Sequence, residues 1–371
     1  MKKALLIGGT GPTGPHVANG LVQRGYELTL LNRGLHSAPG LPPHTLLKAD
    51  PHFRETLDDA LAGHSFDLII ATYGRMRFVA EAAAGKCEQF ISVGGAPAYL
   101  GCLAPWKLRP FGARIPLRED DGLADQDAGE EEPVVRFSHL VWTTEQLIMD
   151  MHAAGTFSAT HFRYPLIYGP RQLSPPEWTI VRRVLDGRKQ MILADGGLEI
   201  LSRCAARNAA HFVLRAVDRP DAAAGQIYNC ADETQWTYRQ LLEEIVDIMG
   251  GDMEMISLPD RLAVPARSLS TIQAVSSHLL LDTTKARAEL GYADVISPRA
   301  ALEEMVHWLV ANPVADFRPD RFDYAAEDRL IAAYLRAVEE VERIAPFERP
   351  PPFHIYAHPK KPGNQPDHKG R

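Results

Sequence analysis

Three glycines, Gly8, Gly11 and Gly14, recur at intervals of three in the run Gly8-Gly9-Thr10-Gly11-Pro12-Thr13-Gly14. Glycines so spaced permit a tight turn and a close approach of backbone to a pyrophosphate. A helix starting behind them offers unpaired N–H groups and the positive end of its dipole. A glycine triplet alone is a weak sign, and its setting strengthens it. Ala4 to Ile7 is a short apolar run suited to a buried parallel strand. Val17, Leu21 and Val22 then recur at helical spacing, and Gly25 precedes a second apolar run, Leu28 to Leu31. Strand, glycine turn, helix and strand together predict a dinucleotide site formed by Gly8, Gly11, Pro12, Thr13 and Gly14.

The end of the second strand selects between the two nicotinamide dinucleotides, because an acidic side chain there bonds the ribose 2′-OH and repels a 2′-phosphate. Here the residues are Asn32 and Arg33. With no carboxylate and a guanidinium able to pair with phosphate, the expectation is NADP(H) ahead of NAD(H). Asp50, closing a third strand read over Thr45 to Ala49, is placed to accept the adenine amino group. Ala71, on a fourth strand from Asp67 to Thr72, borders the same edge.

Later segments add to this beginning: Phe90 to Tyr99 as strand and turn, Arg163-Tyr164-Pro165-Leu166-Ile167-Tyr168-Gly169-Pro170-Arg171, Gly225 to Asn229, and Asp282 to Arg287 with Leu290-Gly291-Tyr292. In order and spacing they resemble the extended short-chain dehydrogenase/reductases, the NAD-dependent epimerase/dehydratase group, from residue 1 to about residue 310. The resemblance implies a doubly wound Rossmann-like α/β fold with a smaller C-terminal α/β lobe. It also implies a Tyr and a Lys four residues apart on a helix, joined by a Ser or Thr at a strand end. A shared helix face lets the ammonium lower the phenol pKa, while the hydroxyl orients the substrate oxygen. Setting the register of a helix from Val134 to Met151 on Glu145-Gln146-Leu147, the tyrosine position falls on Phe137 and the lysine position on Val141. Counted back from Tyr99, the hydroxyl position falls on Gly95. Phenylalanine moves no proton and valine lowers no pKa.

Other side chains are candidates for the missing role. Tyr99 follows the strand that should carry the hydroxyl, and Tyr73 follows the fourth strand at the C-terminal edge where open α/β sheets bind ligands. Tyr73 and Arg77 repeat a phenol and cation at i, i+4, although such pairs are commonly surface contacts. His139 lies about 200° round the helix from Phe137 and ranks below the tyrosines. Tyr164, Tyr168, Arg171 and Trp178 are the substrate-side candidates, each with a packing or surface role as the alternative.

The elements that must position these residues fit a chain of 371 residues: a mainly dinucleotide-binding region over 1–170, a mainly substrate-binding lobe over 171–312 from which elements can return to the main core, and a helix with a Pro-rich tail over 313–371. The segment from Leu103 to Pro133 is long for a connection and suits either a lid or a solvated excursion. An amphipathic helix is predicted from Tyr324 to Ile344, followed by an extended arm or disorder from Pro346. The only literal Tyr-x-x-x-Lys, Tyr356 to Lys360, lies in that tail.

Bulk composition narrows the function classes. Hydrophobic residues at 45% and charged residues at 23% match an ordinary globular chain, and no window offers the ~18 uncharged apolar residues of a membrane helix. The start MKKALLIGG reads as strand rather than signal peptide, so the cytoplasm is expected. Four scattered cysteines suggest neither disulfides nor a metal site, and a net charge of −7 gives no footprint for nucleic acid. The expected partner is a small-molecule substrate, with a homodimer left open. Three readings follow: an NADP(H)-dependent oxidoreductase of a small carbonyl or conjugated metabolite with non-standard proton delivery, a non-catalytic NADP(H) sensor or regulator, and an isomerase or lyase using the cofactor structurally. Loss of the dyad leaves reduction open, since a proton can come from water or a single phenol, but it removes the phenolate needed to oxidise a sugar hydroxyl.

Overall fold

The computed structural model of the chain describes residues 1–124, 132–263, 276–315 and 322–345. Met1–Asp323 form one compact unit and Tyr324–Arg371 a second. The first is built on a seven-stranded, wholly parallel sheet. Its strands are β1 (Lys3–Ile7), β2 (Glu27–Asn32), β3 (Thr45–Lys48), β4 (Phe66–Ala71), β5 (Cys87–Gly95), β6 (Ser158–Tyr164) and β10 (Gln226–Asn229), in the order β10-β6-β5-β4-β1-β2-β3. The Rossmann-like α/β class expected from the sequence is therefore the observed one. β10, from the segment assigned to the substrate lobe, returns to the edge of this sheet beside β6.

The central strands are largely apolar on both faces because both are covered. On one face Leu6, Leu30 and Phe162 pack with Val17 and Leu21 of α1 (Gly14–Gln23) and with Phe212 and Val213 of α6 (Ala206–Asp218). On the other, Leu5, Ile7, Ile69 and Phe90 pack with Leu57 of α2 (Arg54–Leu61), Val79 of α3 (Met76–Ala83) and Ile148 of α4 (Pro133–Ala153). Burying a side chain of this size contributes about 1.5–3 kcal/mol. Pro133 sits in the first turn of α4, where its missing N–H costs nothing.

Outside this sheet the first unit holds two parallel strand pairs. β7 (Leu166–Tyr168) pairs with β9 (Arg203–Ala205), and β8 (Gln190–Ala194) with β11 (Glu254–Leu258). Helices α5 (Trp178–Leu185), α7 (Pro220–Ala223) and α8 (Tyr238–Ile248) belong to this half of the sequence, and α8 opens with a capping box between Thr237 and Gln240.

The segment after β5 is anchored at two points over its described part, with Phe111, Arg114 and Ile115 exposed between them. Tyr99 bridges Leu123 and Leu117 bridges Leu281, with Leu117 donating its N–H to Leu280 O at 2.6 Å. In the second unit a helix covers Tyr324–Ile344, the predicted span. The tail from Pro346, with Tyr356 and Lys360, lies outside the described residues, as do residues 125–131 of the acidic stretch.

Candidate functional site

In an open parallel sheet, ligands bind at the C-terminal strand ends where strand order reverses. Here that place is the crevice between β1 and β4, and the glycine turn closes it. Gly8 adopts φ +113°, a conformation costly for any side chain, and a Cβ there would come within 2.5 Å of Thr72 Oγ1. A Cβ on Gly14 would overlap the backbone of Gly9, so this glycine seats α1 against the turn. Gly11 differs: a Cβ there would meet no protein atom within 4 Å. Thr13 is the N-cap of α1, yet no side chain caps the helix. A turn closed on the protein side and open at Gly11, before an uncapped helix N-terminus, fits a pyrophosphate.

Beyond it, at the ends of β2 and β3, Arg33 is exposed and makes no ion pair or hydrogen bond among the described residues. Asn32 Oδ1 accepts the Gly34 N–H at 2.7 Å, shaping the loop that carries Arg33. Asp50 lies at the same edge, already engaged: it accepts the His52 ring at 2.8 Å and the His52 N–H at 3.1 Å. These bonds, with a smaller contribution from the nearby Arg33, hold the Asp50 carboxyl below its ordinary range. Tyr73 stands edge-on to His52, ring centroids 5.0 Å apart, and its hydroxyl has no partner among the described residues. Tyr73 and Arg77 do not share a helix face, because α3 begins only at Met76, and the Arg77 guanidinium lies over Phe78 at 4.8 Å. Ala71 is fully buried under the sheet edge.

Gly95 ends β5 opposite Tyr164, while Phe137 and Val141 lie one turn apart on α4. α4 contains neither tyrosine nor lysine, and Phe137 is exposed. Tyr99 is the clearest revision. The short 3₁₀ turn Ala96–Ala98 sends its ring into a core with Cys102, Leu117 and Leu281, where it has no solvent exposure. Its hydroxyl donates to Asn229 Oδ1 at 2.7 Å, the Arg163 guanidinium lies 4.6 Å from its ring centre, and burial pushes its pKa up to about 12. The structure thus makes Tyr99 a buried strut instead of an open proton donor. His139 turns toward the Ala124 carbonyl, at 3.2 Å.

Beneath this region lies a buried polar network that the spacing of residues did not announce. Arg163 makes a two-pronged pair with Glu145 at 2.6 and 2.8 Å and donates to the Glu119 carbonyl at 2.9 Å. His161 Nδ1 bonds Ser92 Oγ at 2.7 Å, and its Nε2 is 3.6 Å from Glu145. Burial pulls the His161 pKa down to about 4, against the pull of Glu145. Gly94 makes room: a Cβ there would collide with the His161 ring. The available signal was His161 and Arg163 alternating with Thr160 and Phe162 along a parallel strand, which turns both polar residues toward α4.

Of the substrate-side candidates, the two tyrosines are hydrogen-bonded within the chain. Tyr164 donates to Ala209 O at 3.0 Å and Tyr168 to Asp232 Oδ2 at 2.8 Å. Trp178 is buried at the start of α5, and Arg203 pairs with Glu177 at 2.5 Å. Tyr164, Tyr168 and Trp178 are all buried. Arg171 alone stays uncommitted, with φ +69° and no ion pair among the described residues.

No family model matches the chain. It is 25% identical over 307 residues to a dTDP-glucose 4,6-dehydratase of Streptomyces niveus, covering 77% of this chain and 82% of that one. It is also 25% identical over 183 residues to the uncharacterized protein y4nL of Sinorhizobium fredii, covering 44% of this chain and about half (50%) of that protein. Among solved structures, a UDP-glucose 4-epimerase of Thermotoga maritima superposes with a TM-score of 0.66 at 17% identity, over 83% of this chain and 99% of that one. The Bordetella bronchiseptica enzyme WbmH, in complex with NAD+, gives 0.64 at 16% identity over 85% and 100%. A dTDP-glucose 4,6-dehydratase of Bacillus anthracis, in complex with NAD, gives 0.62 at 15% identity over 84% and 98%. The chain shares the Rossmann-like fold of these epimerases and dehydratases. Among the described residues no helix is long and apolar enough to cross a membrane, and no group of acidic, His or Cys side chains could hold a metal ion.

Proposed function

We propose that this chain is an NADP(H)-dependent oxidoreductase of the epimerase/dehydratase-like short-chain type. It acts on a small carbonyl or conjugated metabolite and delivers protons without a Tyr–Lys dyad. The observation that carries the reading is the glycine turn at the β1–β4 crevice, open at Gly11, with the unpaired Arg33 beyond it and no carboxylate at residues 32 or 33. Relatives of this fold hold NAD, so the dinucleotide class is supported from two sides. The phosphate preference rests on Arg33.

When bound, the nicotinamide would supply the hydride. The residues here bind and orient: Gly8, Gly11 and Gly14 at the pyrophosphate, and Arg33 at the 2′-phosphate. Of the two phenols considered for proton delivery, Tyr73 keeps a hydroxyl free to reach solvent or substrate, and water is the other source. A second reading, a cofactor-binding sensor without turnover, is favoured by an α4 that lacks both tyrosine and lysine. An NADPH fluorescence titration followed by a carbonyl-substrate panel at the nicotinamide absorbance separates the two. Turnover of any carbonyl supports the enzyme, and tight binding with none turned over supports the sensor.

A further inference from the structure

A cleft of about 290 Å³ opens where three distant segments meet: Phe111 to Ile115 after β5, Asp195 to Glu199 after β8, and Ser276 to His278. By sequence alone these stretches have nothing in common. Its rim is apolar, with Phe111, Ile115 and Leu198 all exposed. Apolar side chains gathered round a concavity, instead of scattered, mark a place where something binds.

The polar lining has one sign. Asp195 and Glu199 are acidic, and among the described residues no lysine or arginine lines the cleft. Asp195 Oδ1 accepts the Asp260 N–H at 3.0 Å. Glu199 is 7% exposed, and its Oε2 has no hydrogen-bond partner among the described residues. Arg203, whose charge acts on Glu199, is itself held by Glu177 at 2.5 Å. His278 Nδ1 accepts the Ile200 N–H at 3.1 Å, so the neutral ring carries its proton on Nε2. Burial and the charges of Asp195 and Asp260 push the Glu199 carboxyl up, a cost that an incoming cation relieves.

A carboxylate withdrawn from water without a donor is unfavourable and is stabilised most by a charged N–H donor. A diphosphate would meet two carboxylates at close range, with no cation among the described lining residues, a repulsive arrangement. We propose that this cleft binds an organic ammonium ion with an apolar body, its –NH₃⁺ donating to Glu199 and its hydrocarbon lying against Phe111, Ile115 and Leu198. The cleft has room for about ten non-hydrogen atoms at roughly 30 Å³ each. Binding of the amine does not depend on the oxidoreductase reading.

The test is isothermal titration of the full chain, without added dinucleotide, using hexylamine, hexanoate and uridine 5′-diphosphate as probes. Hexylamine is expected to bind at least about tenfold more tightly than either anion. Glu199→Gln should weaken it by about tenfold or more, the loss of a charged hydrogen bond. Leu198→Lys, at an exposed rim position, places the protein's own ammonium in the cleft and should weaken it similarly, and it carries the test if Glu199→Gln fails to fold. No detectable hexylamine binding, equal binding in both variants, or tighter binding of the diphosphate in competition with the amine would overturn the proposal. A parallel NADPH titration keeps the two readings apart: amine binding without dinucleotide binding defeats the oxidoreductase alone.

Discussion

The Tyr99 hydroxyl donates to Asn229 Oδ1 at 2.7 Å, tying the turn after β5 to the end of β10. Asn229 in turn donates to Leu117 O at 3.0 Å and Asp282 O at 3.1 Å, so one phenol braces four segments of chain. Removing it should therefore be felt in stability. Tyr99→Phe leaves Asn229 Oδ1 buried and unpaired, at a cost of about 1–3 kcal/mol. Urea unfolding checks the loss. NADPH affinity and turnover of any identified substrate should stay within about twofold, and a selective loss of turnover would restore Tyr99 as a proton donor.

The glycine turn yields a pair of substitutions with different signatures. Gly11→Ala adds a methyl group that meets no protein atom, so the melting temperature should hold while dinucleotide affinity falls by about tenfold or more. Gly14→Ala drives a methyl group into the Gly9 backbone, so stability and binding should fall together. Differential scanning fluorimetry with and without NADPH reads both. A Gly11→Ala protein that binds as well as the wild type would remove the pyrophosphate from this turn.

Gly94 and His161 form a second testable pair. Gly94→Ala should cost about 1–3 kcal/mol, because the new methyl group and the imidazole cannot share the space. His161→Ala in the same chain should recover part of that loss, a coupling that a double-mutant cycle measures. Additive losses would mean that the two residues do not meet.

Much of this architecture was legible in the sequence, for a physical reason. A parallel strand, a glycine turn and an amphipathic helix are set by residues close in sequence, so β1, the turn and α1 fall where Ala4 to Gly25 put them. The helix from Tyr324 to Ile344 likewise follows from its apolar spacing. The orientation of Tyr99 was not legible, because the turn over Ala96–Ala98 breaks the strand alternation just before it. Nor was the Ser92–His161–Glu145–Arg163 network, whose members come from β5, β6 and α4 and meet only when the sheet and helix pack. The acidic cleft depends on segments about eighty residues apart, and no spacing rule reaches that far.

Acid stability should report on His161. Its pKa of about 4 lies below the 6.5 of an unfolded histidine, burial being the main cause. Between those values the unfolded chain binds the proton and the folded chain does not. The contribution is therefore complete above pH 6.5 and is lost as pH falls toward 4. Asp232, pushed up to about 6 by burial, acts in the opposite sense over much of the same range, so the bare wild-type profile is a poor readout. The stability difference between wild type and His161→Gln isolates the histidine. It should grow by up to about 1.4 kcal/mol per pH unit on rising through this window and level off above it. Urea unfolding across the window checks it, and a flat difference would contradict a buried neutral ring.

The most direct test of the central claim compares NADPH and NADH binding to the wild type and to Arg33→Ala by fluorescence titration. The structure leaves the Arg33 guanidinium unpaired at the end of β2, with no carboxylate at 32 or 33. The wild type should bind NADPH more tightly than NADH by about tenfold, and Arg33→Ala should erase the gap by weakening NADPH alone. Tighter binding of NADH by the wild type, or a preference unchanged in Arg33→Ala, would contradict it.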